Sequence, residues 1–199
     1  MKKLITTAAI SLALASGVAQ SAVITSAADA SLTGATLVDF NSVANGDYAS
    51  LSVADVTIVG DGAPMTVDAT WTSSYGISGQ SLHNSNSSPL SFDIIFGSTV
   101  SAFGIWGGAY NNNWTFEAYD IADNLIETAN IATACCSAQF NGLANAGISR
   151  VTLSGYGDWV IFDDLVYVTE ASSVSEPTSL ALLGLGLFGL GAARRKQKA

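Results

Sequence analysis

The chain has 199 residues, 49% of them hydrophobic and only 12% charged, with sixteen acids, seven bases and a net charge of −9. That length suits one ordinary domain with targeting segments, and a balance so poor in bases excludes a nucleic-acid partner. Two cysteines, adjacent to each other, exclude a multi-disulfide scaffold and a CxxC redox or zinc motif.

The chain opens with Lys2-Lys3, a short apolar run and the small residues Gly17-Val18-Ala19, ending near Ala22. A basic start, a short apolar core and a small-residue end predict a secretory signal peptide helix over residues 1–22. Two of the seven bases lie there and four lie after residue 193, so residues 23–175 keep Arg150 alone against fifteen acids, a net charge of −14. Such a domain repels anionic lipid as well as nucleic acid, and attracts cations.

Residues 23–170 alternate apolar and polar side chains, as half-buried strands do. Met65-Thr66-Val67-Asp68-Ala69-Thr70-Trp71 places Met, Val, Ala and Trp on one face. Leu90 to Phe96, Trp114-Thr115-Phe116-Glu117-Ala118 and Val151-Thr152-Leu153 repeat the pattern. Further strands are predicted at 36–40, 51–59, 100–106, 125–129 and 159–168. Clusters such as Asn45-Gly46-Asp47, Gly60-Asp61-Gly62 and Gly155-Tyr156-Gly157-Asp158 read as turns. Asp120 to Asn124 reads as a hairpin turn, because Asp and Asn cap turns with their own side chains. Many short strands without a long 3.6-residue stripe predict an all-β fold, a single antiparallel β-sandwich of jelly-roll type. Residues 171–175, Ala-Ser-Ser-Val-Ser, form a spacer.

Candidate chemistry is sparse. Asp163-Asp164 on a strand point to opposite faces, so one is buried and needs partners. They read either as a Ca²⁺ site, the one cofactor the chain suggests, or as a carboxylate accepting backbone N–H bonds from a neighbouring strand end. Trp71, Trp106, Trp114 and Trp159, with Tyr75, Tyr110 and Tyr156, offer aromatic faces for sugar rings. Trp71 and Trp114 fall in alternating strands and read as core. Trp106, Tyr110 and Asn112 combine aromatics with amides in one loop and are the candidate glycan-binding residues. Cys135 and Cys136 form a vicinal disulfide, pair between chains as a redox-responsive dimer, or stay as two thiols. His83, beside Asn84 and a Ser-rich loop, reads as a solvated residue. Gly76-Ile77-Ser78-Gly79 lacks the spacing of a nucleophile elbow, and no pair of carboxylates stands out for glycoside hydrolysis. The residues therefore predict a protein that is not an enzyme, the alternative being a carbohydrate-active enzyme of the envelope, of glycoside hydrolase type.

The last stretch, 176–198, has three parts: Glu176-Pro177, an apolar run, and the basic stop Arg194-Arg195-Lys196. The 16 uncharged residues 178–193 would span roughly 24 Å as a helix, against a bilayer core of about 30 Å. That predicts a short C-terminal transmembrane helix with its basic end cytoplasmic, and Glu176 and Pro177 at the outer face.

This layout resembles the PEP-CTERM sorting signal of Gram-negative bacteria, with Ser175 where the first proline of the pattern would stand. The resemblance implies an exosortase-type processing enzyme as partner, an inner-membrane-anchored precursor, and release to the cell surface or an extracellular polysaccharide matrix. Val38-Asp39-Phe40, Ala102-Phe103-Gly104, Phe116-Glu117-Ala118-Tyr119-Asp120 and Phe162-Asp163-Asp164-Leu165 resemble the β-domain common in such proteins. The last of these is also similar to the closing strand of galactose-binding-like and MAM-type jelly rolls. Together these resemblances imply an exported structural or adhesive protein with glycan or Ca²⁺ as candidate ligands.

Overall fold

The computed structural model describes residues 22–85, 88–110, 113–132 and 135–170. The signal peptide to residue 21, Asn112, the spacer, Glu176, Pro177, the predicted C-terminal transmembrane helix and the basic stop lie outside the described residues. Among the described residues no helix is long and apolar enough to cross a membrane.

In chain order the strands are β1 (Ala22–Ile24), β2 (Thr36–Val38), β3 (Gly46–Tyr48), β4 (Ser50–Val53), β5 (Val56–Gly60) and β6 (Met65–Asp68). A one-turn helix, α1 (Thr72–Tyr75), precedes β7 (Ser81–Asn84) and β8 (Ser91–Ala109). Then come β9 (Trp114–Tyr119), β10 (Leu125–Ile131), β11 (Gln139–Ser154) and β12 (Val160–Thr169). Every pairing is antiparallel.

Two long strands make the sandwich. β8 and β11 pair along most of their length but slip register twice, between Ala144 and Ile148 and between Ile148 and Arg150. Bulges of this kind bend a strand and sharpen its twist. Gly147, at φ +82°, supplies a backbone conformation that side-chain-bearing residues resist. Beyond the bend, the first part of β8 and the last part of β11 join β5 with β4 on one side and β9 with β10 on the other. Before it, the other halves join β1 on one side and β12 on the other, and β12 carries β2, β7, β6 and β3. The ladder is continuous, yet its two halves face each other as layers.

Aromatic rings fill the space between them. Phe92 of the first layer meets Phe162 of the second with centroids 4.7 Å apart, Phe116 meets Phe103 at 5.2 Å, and Phe96 meets Tyr167 at 5.5 Å. Trp114 sits at the centre, against Phe116 and Phe162. Its strand reads buried at Trp114, Phe116 and Ala118 and half-exposed between, the predicted alternation.

Several expectations change. The predicted strand 51–59 is a hairpin of β4 and β5, turned at Ala54 (φ 52°) and Asp55. The predicted strand 65–71 stops at Asp68, so Trp71 leaves the core and stands 42% exposed. The cause is local: the Asp68 carboxylate accepts the Thr70 N–H at 2.8 Å, a side-chain turn that ends the ladder. The predicted strand 100–106 is the middle of the 19-residue β8. The turn at Asp120 forms as expected, with its carboxylate accepting the N–H groups of Ala122 and Asn124, both at 2.8 Å.

Candidate functional site

On the outer face of the β12-bearing layer, α1 and the segment before β12 enclose a cleft of about 390 Å³. Its position follows from β8. Gly107 faces the core, where a Cβ would meet Phe162, and Gly108 faces outward beneath the Tyr75 ring. A Cβ on Gly108 would come within 2.8 Å of that ring. Glycine is therefore what lets α1 lie flat on the sheet, and the Ala138 N–H secures the same tyrosine by its carbonyl at 3.0 Å. Gly108→Ala should displace Tyr75 and α1, costing about 1–3 kcal/mol as an overpacked contact and loosening the cleft. A urea unfolding curve set beside a tryptophan fluorescence spectrum checks both effects.

The walls are aromatic. Trp71, Tyr75, Tyr110 and Trp159 line the cleft, with Trp71 and Trp159 centroids 5.8 Å apart and tilted by 52°. The Tyr110 N–H donates to the Trp159 carbonyl at 2.9 Å, which holds those two residues at one rim. The segment carrying Asp158 and Trp159 is pinned by the buried Asn84. Its amide donates to the Asp158 carbonyl at 2.6 Å and its oxygen accepts the Val160 N–H at 2.9 Å. Cys135 and Cys136 are bonded to each other, and Cys136 borders the cleft.

His83 and Ile161, partners across β7 and β12, make the floor. His83 is buried rather than solvated. Its Nε2 lies 2.9 Å from the Asp68 carboxylate and its Nδ1 lies 3.0 Å from the Asn84 carbonyl. Both ring nitrogens thus face acceptors. Ser74 borders the same cleft, but neither nitrogen is free to take its proton, so the general-base geometry of a catalytic serine is not assembled. Burial pushes the Asp68 carboxyl up, and the Thr70 N–H and His83 outweigh it, holding it below the usual carboxylate range.

Asp163 and Asp164 border a second, smaller cleft of about 190 Å³ on the same face, with Trp106 and the chain just after α1. They do not point to opposite faces. A bulge between Asp163 and Val166 puts Asp164 at φ 49°, and its N–H donates back to the Asp163 carboxylate at 2.8 Å. The donor is thus the next residue of the same strand and not a neighbouring strand end. Among the described residues, no three His, Cys, Asp or Glu side chains group so as to hold a metal ion.

Burial, with some repulsion from Asp164 and Asp39, pushes the Asp163 carboxyl up to about 7. Between about pH 4 and pH 7 the folded chain then holds a proton that the unfolded chain has released, so stability falls as pH rises through that window. Asp163→Asn keeps the acceptor oxygen and abolishes the charge. It should stabilise the fold at pH 8 by about 1–3 kcal/mol and change little at pH 4, as urea titrations at the two pH values will show.

Trp106 and Tyr110 leave the sheet on the same side, 37% and 50% exposed, but only Tyr110 borders the main cleft. Trp106 packs edge-on against Phe140, centroids 5.6 Å apart. Trp114 and Tyr156 are core residues. Of the residues that build the cleft, Trp71 reads as core in the sequence and His83 as solvent-facing. Trp159 and Tyr75 carry only an aromatic signal shared with buried rings.

No curated protein matches the chain. Among solved structures it is similar to TmCBM61 in complex with β-1,4-galactotriose, at 17% identity over 59% of this chain and 90% of that one, TM-score 0.42. It is also similar to a family 6 carbohydrate-binding module, at 9% identity over 68% and 94% of the two chains, TM-score 0.35. The enzymatically active domain of bacteriophage CBA120 tailspike protein 4 shares 14% identity over 66% of this chain and 22% of its own, TM-score 0.38. At its C-terminal end, over residues 173–196, the chain carries a PEP-CTERM protein-sorting motif.

Proposed function

We propose that this is an exported, non-enzymatic glycan-binding protein whose β-sandwich presents the Trp71–Trp159 cleft to polysaccharide outside the cell. One observation carries the reading. Four aromatic side chains converge on a single open cleft, and two of them, Trp71 and Tyr110, are held out to solvent instead of joining the core. Flat apolar faces beside a few polar groups (His83, Asp158) match the amphipathic faces of a sugar ring. The engaged nitrogens of His83 support binding without turnover.

The sorting motif supplies the route. An exosortase-type enzyme of a Gram-negative inner membrane cuts near Glu176-Pro177, and the acidic domain passes to the surface or matrix. Glu176→Ala with Pro177→Ala should leave the protein in the membrane fraction. Intact mass should then retain the residues after 177, where the native chain has lost them.

A glycan array and a glycosidase assay on the same preparation test the binding claim. Binding without hydrolysis is expected. Turnover abolished by a single Asp or Glu substitution would overturn the non-enzymatic part, and an empty array would overturn the ligand class.

A further inference from the structure

Three clefts lie in a row on the outer face of the β12-bearing layer. Tyr75 borders the first and the second, and Trp106 and Ala138 border both the second and the third. The third, of about 540 Å³, is lined by Phe140, Gln139, Asn141 and the chain just after β1. Trp106 and Gly108 occupy alternate positions of β8 and Tyr110 follows just past its end, so the backbone positions of the two exposed aromatics are roughly 13 Å apart. That is longer than one sugar ring needs.

At the far end of this row Trp106 is 37% exposed and packs edge-on against Phe140, so it borders the third cleft with a face that a sugar ring could stack on. Asn141, opposite the core residue Ile105 in the β8–β11 pair, shares the inward face and takes no part. The middle cleft adds the carboxyls of Asp163 and Asp164, acceptors for hydroxyl groups.

Charge narrows the ligand. Arg150 is the one base of residues 23–175. It lies on the opposite layer, bonded to Asp93 at 3.0 Å and Asp123 at 2.5 Å and stacked 4.0 Å above the Tyr119 ring. Among the described residues, no Lys or Arg on the three-cleft face could pair with a uronate or a sulfate, and the domain as a whole repels them.

We infer that the three clefts form one continuous groove for a linear, uncharged polysaccharide, with Trp106 as its distal subsite. The inference rests on the glycan-binding reading of the Trp71–Trp159 cleft and extends it from a single sugar to a chain.

The test is affinity electrophoresis and titration of the full-length chain in a sugar-free non-ionic detergent. The probes are galactan, xylan and β-glucan, their di- and hexasaccharides, and polygalacturonate as the anionic chain. At least one neutral hexasaccharide should bind about tenfold or more tightly than its disaccharide. Trp106→Ala should erase that gain while leaving disaccharide affinity within about twofold. Trp106→Tyr should restore it, which separates stacking from misfolding. Two results would overturn the groove while sparing the main cleft. One is hexasaccharide affinity that Trp106→Ala leaves intact but Trp71→Ala abolishes, and the other is preference for polygalacturonate. Absence of binding to every probe by the unaltered chain would instead overturn the glycan reading on which the groove depends.

Discussion

Replacing Trp71 or Trp159 with alanine should weaken glycan binding roughly ten- to hundredfold. Burying a large apolar side chain against a partner contributes about 1.5–3 kcal/mol, and each 1.4 kcal/mol is a factor of about ten in affinity. The two rings form one tilted pair at 5.8 Å, so neither can hold the cleft's shape alone. The double variant should therefore lose less than the sum of the single losses, the pattern of groups that share a partner. Trp71 is 42% exposed and outside the core, so its loss should barely move the melting temperature. Titration calorimetry beside a thermal melt separates the two effects. A Trp71→Ala protein that melts normally and binds normally would remove the cleft from the account.

The second large effect is on folding. Trp114→Ala should destabilise the domain by about 3–5 kcal/mol, the range for truncating a buried large aromatic side chain. Trp114 is 1% exposed, meets Phe116 at 5.0 Å and Phe162 at 4.9 Å, and so ties the two layers together. Domains of this size are stable by only about 5–15 kcal/mol, so the midpoint of a urea transition should fall steeply. A loss under about 1 kcal/mol would mean that the layers do not pack as described. Two tryptophans that read alike in sequence should thus fail in opposite assays.

The same pair marks the limit of what hydropathy encodes. Alternation locates β9 and the first part of β8, because one-sided burial imposes a period of two on the chain itself. It does not separate Trp71 from Trp114. The difference is a side-chain turn at Asp68 that ends β6 three residues earlier than the apolar pattern does. The joining of the two predicted strands, 90–96 and 100–106, into the 19-residue β8 is equally hidden, since the residues between them fall at the register slip against β11.

The candidate site is legible in kind but not in membership. Aromatics beside Gly, Ser and Asn are visible in the sequence, and Tyr110 and Trp106 stand out among them. Trp159, Tyr75 and His83 join only because β12, β7 and α1 meet on one face, contacts between residues far apart in the chain. Simple alternation puts Asp163 and Asp164 on opposite faces, whereas a bulge sets both beside the same cleft. Bulges leave little trace in hydropathy, being about one residue of slippage.

The most direct test of the central claim is oxidative footprinting of the native protein, read by mass spectrometry with and without the polysaccharide selected on the array. Protection of Trp71, Tyr110 and Trp159, with Ile121 and Leu125 on the far turn unchanged, is the predicted result. Equal oxidation of the three aromatics in both states, under conditions where the polysaccharide binds, would contradict it.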